Sequence, residues 1–122
     1  MSNKYWIGPD GGNWNTTANW SLSSGGPANT TLPSSSDSVF FDQNNYFTIN
    51  STGYMYCGNF NVTSGYYVFS NVYTLYCYGN INWGGYCGSY TGNINLYGNS
   101  KFTLTGGAPI IGNVNMVQGQ YT

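Results

Sequence analysis

A pentapeptide of the form Gly-Asn-apolar-Asn-apolar recurs four times along the chain: Gly58-Asn59-Phe60-Asn61-Val62, Gly79-Asn80-Ile81-Asn82-Trp83, Gly92-Asn93-Ile94-Asn95-Leu96 and Gly112-Asn113-Val114-Asn115-Met116. The copies start 21, 13 and 20 residues apart. Apolar and amide side chains alternate within each copy, which is the period of a strand and not of a helix. A unit of about 20 residues cannot bury its own apolar face, so successive units must cover one another, rung upon rung. The repeat therefore predicts an all-β fold and, within that class, a parallel β-helix or β-solenoid. Phe60, Ile81, Ile94 and Val114 are expected to line up inward, with Asn61, Asn82, Asn95 and Asn115 in an amide ladder on the other face. The interval of 13 is too short for a whole rung and needs a hairpin or a shortened coil. A β-sandwich, which spaces short strands similarly, is the alternative architecture.

Composition agrees with strands. Glycine (18) and tyrosine (13), with many Asn, Ser and Thr, take the place of the usual helix formers in a chain of 122 residues, which fits one folding unit. Aromatic residues make up 19% of the chain, enough to pack a core and to argue against disorder.

Charge narrows the function classes. Lys4, Lys101, Asp10, Asp37 and Asp42 are the only charged side chains, 4% of the chain, and Arg, Glu and His are missing altogether; about 25% is usual. Two lysines cannot neutralise a run of phosphates, so nucleic acid is excluded as a partner. Without His there is no Ser-His or Cys-His nucleophile. Asp37 and Asp42 would lie roughly 16 Å apart on an extended strand, too far for a glycosidase pair, and are expected to cap the turns at the ends of that strand. No lysine follows the glycines as in a phosphate loop. The chain is expected to be no enzyme and to hold neither cofactor nor metal.

Residues 1–36 differ from the rest. Trp6, Trp14 and Trp20, three of the four tryptophans, lie there among turn sequences such as Pro9-Asp10-Gly11-Gly12, which predicts an irregular N-terminal cap held by these tryptophans. The strand pattern begins at Asp37, so that 37–122 are expected to form the rungs of the same folding unit. Tyr73-Thr74-Leu75-Tyr76-Cys77-Tyr78 alternates so that one of its sides should be exposed. Tyr66, Tyr67, Trp83, Tyr86 and Tyr90 are the candidate interaction surface, suited to a protein partner or to sugar faces; ordinary packing between rungs is the competing role. Cys57, Cys77 and Cys87 are odd in number, so buried free thiols are expected, with a Cys57–Cys77 bridge between rungs as the alternative. The first residues carry no apolar run of a secretory signal, and no segment is long and apolar enough to span a membrane.

Two stretches carry a family likeness. Trp6-Ile7-Gly8, Gly11-Gly12-Asn13-Trp14 and Ala18-Asn19-Trp20-Ser21, followed by Pro33 and Asp37-Ser38-Val39-Phe40-Phe41-Asp42, resemble the start of β-helical repeat regions in phage virion proteins and autotransporter-like adhesins. Tyr73-Thr74-Leu75-Tyr76-Cys77-Tyr78-Gly79-Asn80-Ile81 is similar to their rungs. The resemblance implies a structural component of a bacteriophage virion: a capsid decoration protein, head fibre or fibre attachment module. Its partners would be other virion proteins or copies of itself in a homo-oligomer. An extracellular or cell-surface adhesin module that binds glycan, or a self-assembling filament subunit, is the alternative.

Overall fold

The computed structural model describes residues 2–28, 31–44, 46–84, 89–97, 100–104, 110–116 and 119–121. The chain is all-β. Its strands are β1 (Asn3–Trp6), β2 (Gly12–Asn13), β3 (Trp20–Ser21), β4 (Ser38–Phe41), β5 (Tyr46–Asn50), β6 (Met55–Cys57), β7 (Phe60–Val62), β8 (Tyr66–Phe69), β9 (Leu75–Cys77), β10 (Ile81–Trp83), β11 (Ser89–Leu96), β12 (Ser100–Leu104), β13 (Ile110–Met116) and β14 (Gly119–Tyr121). A 3-10 turn at Thr17–Asn19 precedes β3. Among the described residues no helix is long and apolar enough to cross a membrane.

The strands form two sheets. In the first the order is β14-β12-β10-β7-β4-β1-β3; in the second it is β2-β5-β8-β11-β9-β6, with β13 along β11. All pairings are parallel except that of β1 with β3. Strand β11 reaches two neighbours at once: Ser89 and Tyr90 pair with Val68 and Phe69 of β8, while Ile94–Leu96 pair with Leu75–Cys77 of β9. The register against β13 shifts between Tyr90 and Asn93, which marks a bend within β11. The second sheet is thus two ladders joined through β11, and with the first sheet there are three.

From β4 onward the chain visits the three ladders in a fixed order. Paired residues lie 19 to 21 positions apart, as in Val39–Phe60 (21), Tyr46–Tyr66 (20) and Leu75–Ile94 (19). This explains the interval of 13. The first two pentapeptides pair with each other in the first sheet, Phe60 opposite Ile81 and Val62 opposite Trp83. The last two pair in the second, Ile94 opposite Val114. The short interval is the step from one ladder to another within a single pass, and neither a hairpin nor a shortened coil is needed. The single column of copies expected from the repeat is corrected to two sets of register pairs, Phe60 with Ile81 and Asn61 with Asn82 in the first sheet, Ile94 with Val114 and Asn95 with Asn115 in the second.

In the N-terminal segment β1 pairs with β4 and β2 with β5, both in parallel, so residues near the start already belong to two of the ladders. The irregular part is the excursion that follows β3. Strand β3 runs antiparallel along β1, and Ser21 bridges to Ala28, which covers the edge that β1 would otherwise present.

The core lies between the ladders. Trp6, Trp14, Trp20, Val39, Phe41, Ile49, Met55, Phe60, Val62, Phe69, Leu75, Ile81, Trp83, Ile94 and Leu96 are buried in one cluster. The three tryptophans expected to hold the N-terminal end do meet there: Trp20 packs edge-on against Trp14 at 4.8 Å and Trp6 at 5.4 Å, and its indole N–H donates to the Trp14 carbonyl at 2.8 Å. Phe41 then joins them to Phe60, Phe69 and Trp83, each within 6 Å of the next.

Candidate interaction surface

Strand alternation decides which aromatics face outward. In β6 and β9 the outer residues face the core, Met55 and Cys57 in one, Leu75 and Cys77 in the other, so the middle residues Tyr56 and Tyr76 point away from it. These two are register partners, and their rings stack at 5.3 Å. Around them gather Tyr54, Tyr73, Tyr78 and Tyr97. Tyr54 meets Tyr73 and Tyr76 edge-on, both at 5.6 Å, and Tyr97 stacks on Tyr78 at 4.7 Å and on Tyr76 at 6.2 Å. Tyr54 and Tyr73 are half exposed, at 53% and 49%. Partial desolvation, with four neighbouring phenols, raises the pKa of Tyr76 above its ordinary value.

The same stacking occurs on the other ladders. Tyr46 lies on Tyr66 at 4.7 Å, Phe47 on Tyr67 at 5.4 Å and Tyr5 on Phe40 at 4.9 Å. Parallel strands lie about 4.8 Å apart, close to the separation of offset aromatic rings. Rings at register-paired places on adjacent parallel strands therefore stack along the ladder.

The candidate surface residues divide. Tyr66 is at the surface, partly covered by Tyr46. Trp83, Tyr67 and Tyr90 are fully buried and belong to the core, which corrects their assignment to an interaction surface. Trp83 is the last residue of its pentapeptide and shares the inward face of β10 with Ile81. Tyr67 faces inward from β8, where its hydroxyl accepts the Gln43 N–H at 2.9 Å and donates to the Gln43 carbonyl at 3.2 Å. Burial pushes its pKa up to about 12. The Tyr90 hydroxyl donates to the Tyr73 carbonyl at 3.4 Å, and burial raises its pKa further. A phenol at the tip lets a buried Tyr bond to main chain at the edge of the core. Tyr86 lies outside the described residues.

Of the two sides that alternation gives Tyr73–Tyr78, the one with Tyr76 and Tyr78 faces away from Leu75 and Cys77 in the core, but sequence reasoning missed Tyr54, Tyr56 and Tyr97 beside it. The available signal was Met55-Tyr56-Cys57 recurring as Leu75-Tyr76-Cys77 twenty positions on, with apolar residues flanking a tyrosine in both.

The acidic side chains are engaged in tying segments together. Asp37 Oδ1 accepts from the Ser2 N–H at 3.1 Å and hydroxyl at 2.8 Å; Oδ2 accepts from the Ser34 N–H at 2.9 Å and hydroxyl at 3.1 Å. The Lys4 ammonium lies 3.4 Å from Oδ2 and donates to Thr31 Oγ1 and the Leu32 carbonyl. Burial alone would raise the Asp37 pKa, but the hydrogen bonds from Ser34 and Ser2 outweigh it and hold the carboxyl well below the usual range. Asp10 accepts the Thr48 N–H, and Asp42 the Ser24 hydroxyl.

Cys57 and Cys77 are register partners and free thiols, both buried, so they form no bridge; Cys87 is outside the described residues. The Cys77 thiol donates toward the carbonyls of Gly58 at 3.1 Å and Gly79 at 3.3 Å. Burial pushes the Cys57 thiol pKa well up. Neither a scan of family models nor searches of curated proteins and of solved structures return a match for this chain.

Proposed function

We propose that the chain is a β-solenoid without enzymatic activity that serves as a structural component of a bacteriophage virion: a capsid decoration protein, head fibre or fibre attachment module. The observation that carries this reading is the constant 19- to 21-residue period of parallel pairing from β4 onward. Each pass of about 20 residues adds one strand to every ladder and covers the pass before it, which suits a stiff repetitive element of a particle. The aspartates support a non-catalytic role, because each one accepts hydrogen bonds from other segments of the chain. A surface with few charges, Asp10 and Lys101 among them, and with stacked tyrosines suits permanent contact with neighbours in an assembly, whether other virion proteins or copies of the chain.

Light scattering at rising protein concentration, with electron microscopy of the same sample, tests this. Closed homo-oligomers of fixed size are expected. A chain that stayed monomeric at high concentration and sat in no particle would overturn the virion role. An adhesin module at the cell surface is the second reading, favoured by the exposed phenols of Tyr54 and Tyr73. Saturable binding on a glycan array, lost in Tyr73→Ala, would favour it over the first.

A further inference from the structure

Several exposed tyrosines stack in pairs, and two of these pairs come within 4.7 Å, closer than Tyr56 and Tyr76 at 5.3 Å, while remaining accessible from outside. Tyr46 and Tyr66 have ring centroids 4.7 Å apart and planes 11° from parallel; for Tyr78 and Tyr97 the values are 4.7 Å and 10°. Tyr46 and Tyr78 are exposed, and Tyr66 and Tyr97 are partly so. Each pair joins successive passes of the chain, with Tyr46 and Tyr66 direct register partners. Buried Tyr67 and Tyr90 are shielded phenols within the same protein.

We propose that Tyr46–Tyr66 and Tyr78–Tyr97 are sites of oxidative dityrosine cross-linking. The co-reactant is a peroxide acting through a haem peroxidase, which takes one electron and one proton from each phenol. The two tyrosyl radicals couple through ring carbons ortho to the oxygens, forming one carbon–carbon bond. Each coupled ring then moves its ortho hydrogen to oxygen and regains its phenol. The protein loses two hydrogen atoms overall, and one hydrogen peroxide is reduced to two waters. Bond formation requires the reacting carbons to come within about 3–3.5 Å, which near-parallel rings on adjacent strands can reach by a small tilt toward solvent. Because both rings of a pair are held by neighbouring strands, each radical meets its partner at an effective concentration that another molecule in dilute solution cannot match. The product is a covalent staple between passes that lie about 20 residues apart in sequence, independent of the role proposed for the whole chain.

Dilute full-length protein is treated with a haem peroxidase and limiting hydrogen peroxide, digested with chymotrypsin and mapped by mass spectrometry. Circular dichroism verifies the fold before treatment. Expected are chains that run at the monomer mass on denaturing gels and carry dityrosine fluorescence, with linked peptides joining Tyr46 to Tyr66 and Tyr78 to Tyr97, each lighter by two hydrogens. Tyr66→Phe should remove the first link alone and Tyr97→Phe the second, since phenylalanine keeps the stacked ring but cannot form the radical. Links found only between molecules, links confined to other tyrosines, or folded protein without dityrosine would each overturn the proposal.

Discussion

At the scale of single residues, the strongest dependence rests on Asp37. Its carboxylate gathers the start of β1, through Ser2 and Lys4, and the turn before β4, through Ser34. Replacing it by Asn leaves the Lys4 ammonium buried without its counter-charge, and Asp37→Asn is expected to cost about 3 kcal/mol, read from urea denaturation. The pH dependence follows from the direction of the shift. The folded pKa is depressed, so the stabilisation is present in full above the unfolded value of about 4 and is lost as pH falls from there toward the folded value. The wild-type chain should therefore lose stability more steeply below about pH 4 than Asp37→Asn does; equal slopes would count against the assignment. The sequence disclosed that Asp37 would cap a strand end, and the Ser34 N–H bond is such a cap. It did not disclose Lys4, because partners 33 positions apart in sequence meet only once β1 lies beside β4. Cys57 and Cys77, buried in the core, should resist a thiol-alkylating reagent in the native protein and react on unfolding; peptide mapping separates them from Cys87.

At the scale of the element, the pentapeptide is a device for joining one strand to the strand above it. Gly79 lies on Gly58, its N–H donating to the Gly58 carbonyl at 2.8 Å, and a Cβ there would meet the Gly58 carbonyl carbon at 2.7 Å. The first amide of each of the first two copies receives a main-chain N–H from the next pass: Asn80 N–H to Asn59 Oδ1 at 2.8 Å and Lys101 N–H to Asn80 Oδ1 at 2.9 Å. The second forms a side-chain ladder, with Asn82 Nδ2 donating to Asn61 Oδ1 at 3.0 Å and Asn61 Nδ2 to the Val39 carbonyl at 3.2 Å. Gly79→Ala forces main chain apart and is expected to cost about 2–3 kcal/mol. Asn82→Ala removes one exposed hydrogen bond and should cost about 1 kcal/mol or less. Paired denaturation curves check the order, and an Asn82→Ala variant less stable than Gly79→Ala would contradict it. The strands themselves were legible, since alternation depends only on local sequence. Which ladder a copy joins was not legible, because the same alternation serves every side; the third copy lies in β11 of the second sheet, the first two in β7 and β10 of the first.

At the scale of the whole molecule, the period near 20 was readable and the partition into three ladders was not. The surface was misread for the same reason. Trp83, Tyr67 and Tyr90 look exposed in a chain so rich in aromatics, yet the core takes them in, where their rings meet Phe41, Phe60 and Phe69. The tyrosines left outside stack because adjacent parallel strands hold them at ring-stacking distance. The parallel relation between passes is what every other feature depends on, and nuclear Overhauser contacts in the folded chain test it most directly. Main-chain contacts are expected between Phe60 and Ile81 and between Met55 and Leu75, pairs 21 and 20 residues apart in register. Antiparallel contacts between strands that follow one another in sequence, such as β7 with β8 or β9 with β10, would contradict it.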